Sequence, residues 1–95
     1  MPDGSAVERR NRAVTFSVPP KLFKIGEVMR YTGISRQTLH NYTVMGLISE
    51  RTRTESGHRL YGEEVFDRLQ RVTELKAHMS LLEIRKLFER ERRQQ

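Results

Sequence analysis

Four consecutive residues, Ser35-Arg36-Gln37-Thr38, have the chemistry needed to read a nucleic acid. An arginine can donate paired hydrogen bonds to guanine, and a glutamine can donate to and accept from adenine. Ser35 is a good N-cap, so these residues fall in the first turn of a helix, where free backbone N–H groups and the positive dipole end also favour a phosphate. His40 and Asn41 lie one turn further along the outward face. Arg, Gln and Asn populate any exposed helix, so a solvated face is the plain alternative. Further along, Arg51, Arg53 and Arg59 with His58 and Tyr61 make a basic, partly aromatic edge suited to straddling a phosphate backbone. A charged hairpin kept for solubility is the alternative there.

Catalytic and metal chemistry lack their parts. His40, His58 and His78 stand about twenty residues apart, without the i, i+4 partner or carboxylate pair that metal or triad chemistry uses. The chain has no Cys, which removes disulfides, thiolate nucleophiles and Cys-based zinc sites and fits a reducing compartment. Glu63-Glu64 fits helix-start electrostatics better than an acid and base pair, and the six glycines are too scattered to cradle a phosphate. The sequence therefore predicts neither an enzyme nor a cofactor site.

The elements that must hold these residues follow from punctuation and periodicity. Glu27, Val28, Met29 and Tyr31 predict a short helix ended by Gly33, a residue suited to the position past a helix end. Ser35 opens a second helix over residues 35–45, with Leu39, Tyr42 and Val44 or Met45 inward, ended by Gly46. The brief Gly-containing connection suits a helix-turn-helix, and by spacing alone equally an ordinary helical hairpin. Residues 49–61 are polar and Thr-rich with Glu55-Ser56-Gly57 as a turn; they predict a β-hairpin whose return Leu60 and Tyr61 anchor to the core, or failing that a linker. Val65, Leu69, Val72, Leu75 and Met79 predict a third helix, and Ser80-Leu81-Leu82-Glu83 has the capping-box pattern of a fourth. In that helix Leu81, Ile84 and Leu87 or Phe88 face inward, and residues 91–95 are expected to fray.

Length and charge bound the rest. Of 95 residues, 18 are Lys or Arg and 12 Asp or Glu, a formal charge of +6. Residues 1–21 carry net +2, residues 22–60 net +3 and residues 61–95 net +1. Residues 1–21, with Arg9, Arg10 and Arg12, have too few periodic apolar positions to order themselves and are expected to be a flexible basic arm. Residues 22–90 then form one small domain, mostly α, with four helices and a short hairpin. No apolar run approaches the roughly 18 residues of a membrane span, and no signal peptide opens the chain, so a cytoplasmic location is expected.

The order of residues adds to this. Phe23-Lys24-Ile25-Gly26-Glu27-Val28, Thr32-Gly33-Ile34-Ser35, Gln37-Thr38-Leu39, Tyr42, Gly46-Leu47-Ile48 and Arg53-Thr54-Glu55-Ser56-Gly57-His58-Arg59-Leu60-Tyr61 resemble the DNA-binding domain of the MerR family of bacterial transcriptional regulators. The resemblance covers roughly residues 22–90, and Ser80-Leu81-Leu82-Glu83-Ile84 looks like that family's fourth helix. It implies a winged helix-turn-helix, with the second helix in the major groove of double-stranded DNA and the hairpin as a wing on the backbone. It places helix contacts on Arg36, Gln37, Thr38, His40 and Tyr42 and wing contacts on His58, Arg59 and Tyr61. The expected location sharpens to the bacterial nucleoid.

Two departures qualify the resemblance. The family's usual Arg-Tyr-Tyr-acidic run is His40-Asn41-Tyr42-Thr43 here, which exchanges a fixed cation for a titratable ring and an aromatic for an amide. The family's long pairing helix and effector domain also have no counterpart in this sequence. The expectation is a regulator without a small-molecule effector, acting through self-association on DNA or another protein. An architectural DNA-binding protein, a recombination directionality factor and a protein-interaction module are the rival readings.

Overall fold

The computed structural model describes residues 21–94. Residues 1–20 of the expected basic arm, with Arg9, Arg10 and Arg12, lie outside them. The described residues form a two-residue strand β1 (Phe23–Lys24), helices α1 (Ile25–Thr32) and α2 (Arg36–Met45), strands β2 (Thr52–Arg53) and β3 (Arg59–Tyr61), and helices α3 (Glu64–Leu75) and α4 (Leu81–Arg93).

Helices α1, α2 and α4 begin where a side chain satisfies a free backbone N–H, and α1 and α2 end on glycines. At the start of α1 the Lys24 amide donates to Glu27 Oε1 at 2.8 Å. Gly33 ends the helix at φ 74°, a left-handed backbone that glycine takes without a Cβ clash, and its N–H reaches the Met29 carbonyl at 2.8 Å. Thr32 fixes the turn by donating to the Val28 carbonyl at 2.7 Å while accepting from the Ile34 amide at 3.1 Å. Ser35 then caps α2, its Oγ accepting from the Thr38 amide at 3.1 Å. Gly46 closes α2 at φ 81°.

The face that α2 buries is Leu39, Tyr42 and half of Met45; Val44, offered by the sequence as an alternative, is 70% exposed. Three-residue steps from Leu39 to Tyr42 to Met45 keep one stripe, whereas Val44 falls about 100° away from Met45 around the helix. Leu47 and Ile48 then enter the core directly.

The predicted hairpin is present, and it carries a strand that periodicity did not reveal. β3 pairs antiparallel with β2, Thr52 opposite Leu60 and Arg53 opposite Arg59, and on its other edge with β1, Phe23 opposite Tyr61. The order is β1-β3-β2. Glu55-Ser56-Gly57 makes the turn, with Gly57 at φ 92° and the Thr54 amide donating to the His58 carbonyl at 2.8 Å. Phe23, Tyr31 and Phe66 meet edge to face, with centroids 4.9 to 6.3 Å apart, and so lock β1 and α1 onto α3.

α3 ends at Leu75, short of Met79. Ser80 must be extended (ψ 162°) to cap α4, so the chain leaves the helix in a turn, and Met79 packs on the core from there. Both arms of the capping box are made: Glu83 N–H to Ser80 Oγ at 3.1 Å and Ser80 N–H to Glu83 Oε1 at 2.8 Å. Instead of fraying from residue 91, α4 runs to Arg93. The cause is cross-helix: Arg71 on α3 grips the Glu91 carboxylate with both terminal nitrogens, and Arg68 and Arg71 lie 4.3 and 5.0 Å over the Phe88 ring.

One core gathers Val28, Leu39, Tyr42, Leu47, Ile48, Tyr61, Val65, Leu69, Val72, Ile84 and Phe88 from every element except the outer strands. No helix among the described residues is long and apolar enough to cross a membrane.

Candidate nucleic-acid interface

The first turn of α2 projects from this core with Arg36 and Gln37 exposed, and His40 and Asn41 exposed one turn on. Gln37 Nε2 donates to Asn41 Oδ1 at 3.1 Å, which orients both amides along one face. Ser35 and Thr38 are engaged with each other, Oγ to Oγ1 at 3.0 Å, so they shape the helix start as well as border it. Among the described residues Arg36 has no ion-pair partner.

The two tyrosines fall elsewhere. Tyr42 is 3% exposed and Tyr61 1%, both in the core, as the inward pattern has it for Tyr42, so the DNA contacts that the resemblance places on them give way to burial. The Tyr61 hydroxyl lies 3.0 Å from Thr43 Oγ1. Thr43 has one hydroxyl proton and gives it to the Leu39 carbonyl at 2.9 Å, so Tyr61 is the donor. That bond ties β3 to α2 and fixes the wing relative to the helix.

The wing arginines are held by carboxylates. Arg51 makes a two-pronged pair with Glu64 at the start of α3, Nη2 to Oε1 at 2.6 Å and Nε to Oε2 at 3.3 Å. That pair anchors the base of the hairpin. Arg53 and Arg59 both meet Glu50, at 3.2 and 3.6 Å. The Glu50 carboxyl is held below its ordinary value by its own backbone N–H, then by Arg53 and Arg59. Glu64 is lowered likewise by its backbone N–H and by Arg51. At the tip His58 Nδ1 lies 3.0 Å from Ser56 Oγ.

Between α1 and the wing runs an open groove of about 760 Å³, lined by Lys24, Glu27 and Arg30 from one side and His58 and Arg59 from the other, with Arg36 its one lining residue from α2. Gln37, His40 and Asn41 continue outward from it along α2, whereas Arg51 and Arg53 are not among its lining. The sequence assigned no contact to Lys24, although it lies in the Phe23–Val28 string of the resemblance, nor to Arg30. Lys24 reaches the groove only because β1 pairs with β3, opposite Leu60, and nothing in a two-residue strand signals that pairing. Among the described residues no group of three His, Cys, Asp or Glu could hold a metal ion.

Two short capped helices, a three-residue turn and a three-stranded wing define the class: a winged helix-turn-helix domain. Residues 24–61 match the family model described as MerR family regulatory protein. These residues carry a MerR-family helix-turn-helix segment, similar to the DNA-binding domains of bacterial transcriptional regulators. The nodulation protein NolA of Bradyrhizobium diazoefficiens is 41% identical over 68 residues, 70% of this chain and 29% of NolA. The mercuric resistance operon regulatory protein of Bacillus cereus is 43% identical over 47 residues, 50% of this chain and 36% of that protein. The crystal structure of a MerR-family transcriptional regulator from Bacillus cereus matches with a TM-score of 0.64 at 28% identity, over 72% of this chain and 52% of that one. The chain thus spans under a third of NolA and about half of the solved regulator. The matched segment and the fold are those of transcriptional regulators.

Proposed function

We propose that this chain is a sequence-specific double-stranded DNA-binding transcriptional regulator acting on the bacterial nucleoid, with residues 35–45 in the major groove and residues 49–61 on the backbone. The observation that carries the reading is the shared groove: Arg36 from α2 and His58 and Arg59 from the wing line one basic cleft, beside the exposed amides of Gln37 and Asn41. Arg36 and Gln37 address base edges, with Ser35, Thr38, His40 and Asn41 around them, and His58, Arg59 and Arg53 meet phosphates. Lys24 and Arg30 extend the phosphate track. Arg51, Tyr42 and Tyr61 act from behind, by fixing the wing and the helix.

No effector enters this scheme. Neither Cys nor a metal-ligating group stands among the described residues, and tight operator binding comes from self-association on DNA or from a partner protein. Selection of genomic fragments by the purified protein at near-physiological salt, followed by footprinting, tests the reading. Enrichment of a repeated motif is the expected result. Recovery without any motif, with affinity collapsing as salt rises, would leave only phosphate attraction and favour the architectural or protein-docking readings.

A further inference from the structure

Glu50 stands at the foot of the wing, just before β2, with its side chain 23% exposed. Its two carboxylate oxygens serve two different arginines: Oε2 accepts from Arg53 Nε at 3.2 Å, and Oε1 lies 3.6 Å from Arg59 Nε. Arg53 and Arg59 face each other across the β2–β3 ladder, so the carboxylate bridges a cross-strand pair of like charges. Both arginines are gripped by Nε, the inner nitrogen. Among the described residues their terminal nitrogens make no hydrogen bond, which leaves four N–H donors on each. Among the described residues Arg59 Nε, itself buried, has no hydrogen-bond partner, and Glu50 is its counter-charge.

We infer that Glu50 is a positioning residue for DNA binding: one carboxylate holds Arg53 and Arg59 by their inner nitrogens and aims both outer forks at the phosphate backbone. The inference rests on the reading of the hairpin as a backbone-gripping wing. A guanidinium that enters binding already oriented loses less conformational freedom than a free one. The bridge also removes the repulsion that two cross-strand arginines would otherwise exert. Charge alone argues the opposite sign, because a carboxylate near phosphates repels them, and its removal would tighten binding.

That opposition of signs makes the inference testable. Affinity for a mixed-sequence DNA duplex is measured with the full chain, its Glu50→Gln and Glu50→Ala variants, and the same changes on an Arg53→Ala/Arg59→Ala background. Glu50→Gln keeps the side chain's shape, and its fold is checked by circular dichroism. The expected result is weakening on the order of fivefold in both single variants despite the lost negative charge, and no effect of either change once the two arginines are gone. Tighter or unchanged binding by the Glu50 variants would overturn the inference, as would equal weakening on the double-arginine background. Should the Arg53→Ala/Arg59→Ala protein itself bind as the parent does, the wing reading falls and this inference with it.

Discussion

Arg36 and Arg59 line one groove, yet the arrangement gives them different work. Arg36 is exposed in the first turn of α2, free of carboxylates among the described residues, and able to lie flat against a guanine edge. Arg59 sits in β3 with its inner nitrogen beside Glu50. Replacing Arg36 by Ala should weaken binding to the selected site by about 1 to 3 kcal/mol and relax base preference there, whereas Arg59→Ala should weaken selected and random duplexes alike. Equal effects of both changes on both duplexes, measured by anisotropy titration, would reverse the assignment. Tyr61 presents a different case. It was legible as an aromatic on the wing's basic edge and equally, with Leu60, as the anchor of the hairpin's return to the core, because a tyrosine carries both an apolar ring and a polar tip. Tyr42 was legible both ways, at a DNA position by resemblance and on the inward face by its three-residue step from Leu39; the core took it. Removing the Tyr61 hydroxyl in Tyr61→Phe leaves the ring's packing and loses the bond to Thr43. Urea unfolding should show a loss of about 0.5 to 1.5 kcal/mol. An unchanged midpoint would mean that this bond does not hold the wing to α2.

At the scale of elements, boundaries marked by chemistry were readable and boundaries set by partners were not. Gly33, Ser35, Gly46 and Ser80 each announce a cap, and each serves as one. β1 is two residues long and exists because β3 offers an edge, which no local pattern encodes. The end of α3 was misplaced because Met79 continues the helical step numerically while Ser80 demands an extended backbone. The last turn of α4 owes its helix to Arg71, twenty residues away, so its charge-rich local sequence read as frayed. The wing turn depends on Gly57 at φ 92°, and beyond its two chain neighbours no described residue comes within 4 Å of where a Cβ would stand. Gly57→Ala therefore isolates backbone strain from crowding. It should cost about 1 to 2 kcal/mol in urea unfolding, while Gly57→Asn, whose side chain tolerates this region, should cost less. Equal stability of the Ala variant and the parent would show that the turn relaxes freely.

For the whole molecule, charge sets how the domain responds to its solvent. Glu27, Glu50, Glu64, Glu83 and Glu91 are all held below their ordinary value of 4.5, respectively by the Lys24 backbone N–H, by their own backbone N–H groups in the two wing-base residues, by the Ser80 backbone N–H and by the Arg71 side chain. Each carboxylate then binds its proton less readily in the fold than in the unfolded chain. The linked stability is fully present above pH 4.5 and is lost as the pH falls through the lowered folded values. The urea midpoint should hold level from pH 7 down to that point and drop below it. A midpoint that stayed level further into acid would mean that these contacts do not form in solution.

The basic excess that opened the functional reading is spread through the chain, and its parts separate by their salt response. The domain presents Lys24, Arg30, Arg36, His58 and Arg59 on one groove, and residues 1–18 add Arg9, Arg10 and Arg12 outside the described region. Each phosphate neutralised by a cation steepens the fall of log affinity with log salt by about 0.9. If the arm engages DNA through its three arginines, removing residues 1–18 should flatten that slope by up to about 2.7 and weaken binding most at low salt. The selected motif should survive, because Arg36 and Gln37 are untouched. A deletion that changed the motif but not the slope would mean that the arm reads bases in the minor groove rather than attracting phosphates, and unchanged binding would leave the domain without its arm as the whole of the interface.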